Sequence, residues 1–421
     1  MNLLLEPRGA LLRDAPMARP GEPGWLADLR RAWWAHAVET PLPTGQEEEW
    51  RRTSLDRLPR DVPQAAPDDL RLRLDGLGGE EAARGVVFTD LAGAAHQHPD
   101  LLRRVLASPG ERAGVASHAH FWSLAHAAWQ AGTLLYVPRG VTVDGVLRTR
   151  VESRRPDVAA LPLTIVVAEP ESQVTLLEEV VSPDGAAGWW AGAVVVRAGN
   201  GSRVRYAQLQ RLGDATWNLG SQLIEVGQDA EVTTLNTEVG SKVTKLGLDV
   251  RMLGKGGVST LLGLLAAGSD QHIDINSLQD LHGSHTVSDL LYLSALYERA
   301  KAAFYGLLRV RPEAKATSSY QECRNLLLSP EAGAEPIPAL EIMTNDILRC
   351  GHGATAGAID PTQLFYAQTR GLSADEAERM IVRGFFEQVL ARIGSEPIKA
   401  TMLDALAVRI GRTDELEEAA A

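Results

Sequence analysis

The hexamer GNGSRV, Gly199–Val204, has the composition of a turn that leads into a strand, and it does not stand alone. EPESQV begins at Glu169, GQDAEV at Gly227, GKGGVS at Gly254, HGSHTV at His282 and RPEAKA at Arg311, a spacing of about 28 residues. Each has a small or polar residue at its fourth place, and most have valine at the sixth. A β-rich repeat of this length fits one coil of a parallel β-helix, whose coils cannot bury their own inner faces and must stack on their neighbours. A propeller blade asks for about 40–50 residues and a leucine-rich repeat for a regular leucine ladder, and neither is present. The other candidate is a β-sandwich whose hairpin turns are evenly spaced.

The expected architecture is therefore mainly β: a right-handed parallel β-helix over residues 133–356, flanked by an N-terminal helical region, 1–132, and a C-terminal helical domain, 357–421. In the front region Trp25, Leu29, Ala32, Trp33 and His36 recur at helical spacing. HPDLLRRVL and HFWSLAHAAWQ read the same way, and the texture turns to strand at LLYVPRGVTVDGVL, Leu134–Leu147. After Gly357, DPTQLFYAQTRG reads as a short helix. A second helix opens at a Ser373-x-x-Glu376 capping box and carries Ala377, Met380, Ile381, Gly384, Phe385 and Val389 on one face. A third lies near EPIKATMLDALAVRI, and the polar tail DELEEAAA is expected to fray.

The chain has 421 residues and a net charge of -12 with mixed signs and no dense basic block, which argues against nucleic acid or an anionic membrane as partner. Two cysteines, Cys323 and Cys350, are too few for a disulfide framework. The start MNLLLEPRGALLRDAP lacks the order of a signal peptide, so a cytoplasmic location is expected. The longest apolar runs, such as LPLTIVVA and LLGLLAA, fall far short of the roughly 20 residues of a membrane span.

Chemistry concentrates in LRCGHGATAGAID, Leu348–Asp360. Gly351-x-Gly353-x-x-Ala356 is a loose form of a dinucleotide fingerprint, but the helices that follow provide no returning strand to complete a βαβ unit. On a strand, residues two apart share a face, so Cys350 and His352 could aim at one point. Thiolate and imidazole suit iron or zinc. Two ligands fall short of the four a closed tetrahedral site takes, so others would come from Cys323 or from another subunit. The structural alternative is a buried thiol and a hydrogen-bonded histidine beside two glycines in a turn. His272, His282 and His285 fall on turns of the repeat and are expected to be solvated. No H-E-x-x-H, G-x-S-x-G or P-loop motif occurs. A polysaccharide-acting β-helix would show clustered acidic or basic residues along one strand face, and no convincing set is visible.

RNLLLSPEAGAEPIPALEIMTNDILRCGHGATAGAIDPTQLFYAQTRGL resembles the hallmark run of the SufB/SufD scaffold proteins of the Suf iron-sulfur cluster assembly system, in which a strand pair leads into a Cys/Glu-x-His turn and a Leu-Phe-Tyr helix. EEEWRRTSL and FWSLAHAAWQAGTLLYVPRGV are similar to the family's N-terminal and entry-strand motifs, and the resemblance runs from about residue 30 to 400.

The resemblance implies a non-catalytic scaffold with a right-handed parallel β-helix. It also implies pairing through the β-helix with a SufB-type paralogue or a second copy, and a SufC ATPase bound by the C-terminal helices. Ser373, Glu376, Arg379 and Arg383 are the residues expected at that docking helix. Iron or a nascent cluster would be held transiently at the subunit interface by Cys350, His352 and Cys323, with none expected in the isolated chain. Cys350-Gly-His352-Gly is more like SufD. Cys323, within AKATSSYQECRNLLL, and GLSADEAERMIVRGF are more like SufB, which leaves a SufB-like homodimeric role as the alternative.

Overall fold

The computed structural model describes residues 11–12, 19, 21–109, 114–185 and 187–411. The tail DELEEAAA lies outside the described residues. Between residues 132 and 357 the chain winds through about eight coils of a β-solenoid, each coil adding one strand to each of two facing sheets. Pairing within the coils is parallel and in register, with a repeat between 26 residues, where Ser221 lies beside Gly247, and 32, where Lys301 lies beside Gly333.

The turn hexamers explain the period. Their third residue lies in the left-handed region in four successive coils: Glu171 (φ 63°), Gly201 (68°), Asp229 (52°) and Gly256 (72°), followed by His285 (59°) and Ala316 (52°) at later places. A left-handed non-glycine costs about 1–2 kcal/mol. Here the conformation aims each N–H at the next coil. Glu171 N–H donates to Asn200 O (2.8 Å), Gly201 to Gln228 O (2.8 Å), Asp229 to Lys255 O (2.9 Å), Gly256 to Ser284 O (2.9 Å), His285 to Lys315 O (2.8 Å) and Ala316 to Asp346 O (2.7 Å). The corner is thus hydrogen-bonded along the axis as the sheets are. On the outer face of the second sheet a charge ladder fixes the same register: Arg197, Glu225, Arg251, Asp280, Arg309 and Glu341 are successive cross-strand neighbours of alternating sign.

Many strands are buried on both faces, as in Val258–Ala267, because each sheet is covered outside as well as inside. One core fills the solenoid, with Leu176, Tyr206, Leu248, Leu261, Tyr292 and Phe304 among its members. A second lies where the N-terminal helices Gly24–Glu39 and Ala119–Ala128, together with Trp50, cover Ile165, Val195 and Leu223. A third lies where Val382, Phe386 and Met402 of the C-terminal helices cover Leu209, Leu262 and Leu293. Pro361–Thr369, Ala374–Leu390 and Glu396–Gly411 are those helices.

Several expectations shift in detail. The first helix buries Leu26, Arg30, Trp33 and Ala37, a face rotated from the Trp25/Leu29 stripe, because Arg30 reaches inward to Glu22 (2.7 Å) and the carbonyl of Ala127 (3.0 Å). The Ala374–Leu390 helix buries Ala377, Val382, Phe386, Val389 and Leu390 and leaves Met380 half exposed. The front of the chain is more than helix and loop. Leu70–Asp75 pairs antiparallel with Leu147–Ser153, and Val87–Asp90 with Gly132–Val137, so both sheets receive an end strand. His272 is no solvated turn residue. Its Nε2 sits 3.1 Å from Thr53 Oγ1, beside the buried Lys245–Asp274 pair (2.7 Å) that holds the Glu48–Trp50 turn against the sheet.

Candidate functional site

The last two strands of the nine-stranded sheet carry all three candidate metal ligands. Thr317–Leu327 alternates strictly: Ser319, Gln321, Cys323 and Asn325 are buried, and Tyr320, Glu322 and Arg324 lie on the outer face. Ile347–Gly357 runs beside it with Cys350 opposite Ser319, His352 opposite Gln321 and Ala354 opposite Cys323. Ladder neighbours share a face, so Cys350 and His352 turn inward as Cys323 does. Cys350 packs against the interior core, whereas His352 is exposed because no further coil covers it.

The sequence GHGATAG is therefore a strand, neither a nucleotide loop nor a turn. Its glycines serve the outer face. A Cβ on Gly353 would lie 3.0 Å from Tyr320 Oη and one on Gly351 3.4 Å from the same ring, so the tyrosine lies across the bare backbone while Arg349 stacks on it at 4.3 Å. Register shifts between Thr317 and Ser318, and Leu348 stands 75% exposed at that irregularity.

The two thiols differ in chemistry. Burial pushes Cys323 up to about 12, and the neighbouring Asn325 amide (Nδ2 to Sγ 3.6 Å) offsets only part of that. Cys350 is also raised by its partial burial, with the Ser319 hydroxyl acting in the opposite direction. Asn325 donates in turn to Thr355 O (2.9 Å), tying the Cys323 strand to the last strand. Among the described residues no group of three or more His, Cys, Asp or Glu side chains converges to hold a metal. Cys350 and His352 alone would leave a tetrahedral metal short of ligands.

Ser373 and Glu376 form the capping box: Glu376 N–H donates to Ser373 Oγ (3.3 Å) and Ser373 N–H to Glu376 Oε2 (2.8 Å). Arg383 is exposed and Arg379 half-buried on the helix that follows. Sequence reasoning missed two features here. Arg324 Nη1 donates to Gln388 Oε1 (3.1 Å), joining the outer face of the Cys323 strand directly to that helix. Seven of the ten large apolar side chains that stand exposed among the described residues fall between Leu340 and Met380, Phe365 (67%) and Tyr366 (59%) among them. Strand alternation in TSSYQECRNLL was the signal that could have found the first.

The family described as SUF system FeS cluster assembly, SufBD core domain, matches residues 150–385, more than half of the chain. The chain belongs to the SufBD family. It is similar to a SufBD family iron-sulfur cluster assembly protein of Mycobacterium bovis, 26% identical over 391 residues that cover 90% of this chain and 91% of that protein. A SufBD family protein of Staphylococcus epidermidis is 27% identical over 305 residues, 72% of this chain and 64% of its own. The iron-sulfur cluster assembly protein SufB of Bacillus subtilis is 24% identical over 401 residues, 87% and 85% of the two chains. The matched core takes in both strands that carry the candidate ligands and most of the Ala374–Leu390 helix. Among the described residues no helix is long and apolar enough to cross a membrane.

Proposed function

We propose that this SufBD chain is a non-catalytic scaffold subunit of the Suf machinery, most like SufD. In this reading it pairs through its solenoid with a SufB-type paralogue and binds a SufC-type ATPase through residues 357–421. The observation that carries the reading is that Cys350 and His352 face the interior of the last strand, where no further coil follows and only part of a donor set is present. A second subunit brought to that end would supply the missing donors, and iron or a nascent cluster is the cargo that thiolate and imidazole together suit. Cys323 stands behind them in the chain's own interior, a thiol that desolvation holds protonated.

ATP binding would draw two ATPase copies together and move the helix that starts at Ser373, where Arg379 and Arg383 lie. The Arg324–Gln388 bond passes such a motion straight to the strand that carries Cys323. The exposed Phe365, Tyr366 and Met380 extend the same docking surface. Cys323, and the likeness to a protein named SufB, favour the second reading of a SufB-like homodimer. Co-expression with a SufC-type ATPase and a SufB-type paralogue, followed by size-exclusion chromatography, tests the assignment. A three-component complex is expected. A self-paired chain that excludes the paralogue would establish the second reading, and a chain that binds neither protein would refute both.

A further inference from the structure

The two sheets handle surface charge differently. On the second sheet the outer ladder from Arg197 to Glu341 alternates in sign, so each charge has an opposite neighbour. The nine-stranded sheet begins with Leu70–Asp75, Leu147–Ser153, Gln173–Val181 and Arg203–Arg211. The outward positions of these four strands hold seven arginines against three carboxylates, Asp75, Glu152 and Glu179. In a chain of net charge -12 this face is a local reversal of sign.

Several of these arginines are not neutralised. Arg73 and Arg150 stand directly opposite each other in the antiparallel ladder, and like charges so placed cost a sheet stability. Arg71 and Arg148 face Glu152 and Asp75 across the same ladder, yet among the described residues the side chains of Arg71, Arg73 and Arg148 form no ion pair and no hydrogen bond. One carboxylate, Glu179, serves both Arg150 (3.2 Å) and Arg211 (2.9 Å). Arg150 Nε is buried without a hydrogen-bond partner, while Arg71, Arg73 and Arg211 are exposed. The strip leads into a cleft of about 290 Å³ that Arg150 and Arg211 line together with Val181, Val239 and, from the Glu396–Gly411 helix, Val408. Val408 is 64% exposed there.

We propose that this face is a docking surface for an acidic polypeptide segment of another protein, whose carboxylates lie on Arg71, Arg73 and Arg148 and whose apolar residue sits in the cleft beside Val408. A carboxylate between Arg73 and Arg150 removes the like-charge cost that the free ladder carries. Nucleic acid fits this face less well. Its phosphates repeat without a break, whereas Asp75, Glu152 and Glu179 interrupt the arginines, and the overall negative charge of the chain repels a long polyanion. The surface lies at the opposite end of the nine-stranded sheet from Ile347–Gly357, so the inference goes beyond the pairing and ATPase docking read above.

The test is fluorescence anisotropy of the full chain with a labelled LEEEEEE peptide at about 20 mM and about 200 mM salt. Binding at the lower salt that weakens at the higher is expected. Arg73→Glu with Arg148→Glu should cut affinity at least about tenfold, while Arg57→Glu with Arg299→Glu, the same change of net charge at exposed sites elsewhere, should leave it within about twofold. Val408→Ser should weaken binding of LEEEEEE but not of a peptide of glutamates alone. Arg73→Glu by itself separates docking from a structural role, because it turns a like-charge pair into an opposite one: the melting temperature should hold or rise while peptide affinity falls. A native chain that ignores the peptide at the lower salt, equal losses from the two double variants, or tighter binding of single-stranded DNA of matched charge would overturn the proposal. So would a chain ended at Gly411 that binds the peptide when the native chain does not, which would assign the face to the chain's own acidic end. Each of these results leaves the scaffold reading standing.

Discussion

The two ends of the solenoid are built on opposite rules. At the N-terminal end each sheet receives an antiparallel strand, and the helices packed against the adjoining coils bury Trp50, Leu91 and Leu134 almost completely. At the C-terminal end the last strand leaves Leu348 and His352 exposed, and Ile342 and Met343 of the preceding coil are half exposed. A solenoid needs caps because each coil relies on the next for its inner face. An end left without one, in a chain that caps the other end twice, is where the proposed second subunit would sit.

That contrast can be broken by substitution. Leu134→Ala, at the closed end, should cost about 2–5 kcal/mol in denaturant unfolding of the isolated chain, the range for a fully buried leucine. A cost below 1 kcal/mol would mean the closed end is not tightly built.

Between the ends, burial sets a pH dependence. Glu238, wholly buried with Oε1 unpartnered, is raised by desolvation from 4.5 to about 7. The folded chain therefore binds a proton that the unfolded chain has already lost between pH 4.5 and about 7. Across that window stability falls as pH rises, and the loss is complete above pH 7. Glu238→Gln should stabilise the chain at pH 8 by about 2–3 kcal/mol and give little gain near pH 4, as read from melting at the two pH values. An equal effect at both would contradict the assignment.

The cysteines sharpen the comparison on a smaller scale. Alkylation of the folded chain at pH 8 should modify Cys350 at least about tenfold faster than Cys323, which is both more deeply buried and pushed up to about 12. Equal rates would show that the end breathes open by a full coil. The smallest effect belongs to Leu348→Ala. It should leave the stability of the isolated chain within about 0.5 kcal/mol while weakening association with the partner. A destabilisation matching that of Leu134→Ala would mean Leu348 is covered within the chain.

Much of this was legible in the sequence. The turn hexamers announced the solenoid because a left-handed corner selects for glycine and small polar residues, and the same corner recurs once per coil. The strand register puts Cys350 and His352 on one face, as alternation predicts. The capping strands were not seen. LRLRLD alternates clearly, but it lies outside the period and gives no sign that it folds back antiparallel onto Leu147–Ser153. The face of the first helix was misread by a fraction of a turn, because Arg30 is buried through carbonyl and carboxylate contacts that hydrophobic spacing cannot anticipate. The glycines of GHG suggested a turn, and only the Tyr320 ring across them explains why they sit in a strand.

The most direct test of the open end as the place where cargo is held is the iron and sulfide content of the anaerobically assembled complex carrying His352→Ala. A complex that assembles with native stoichiometry but retains roughly a tenth or less of the native iron and sulfide is the predicted result, since losing even an outer-shell partner of a ligand typically costs about 10–100-fold in metal affinity. An intact complex with unchanged iron and sulfide would contradict it.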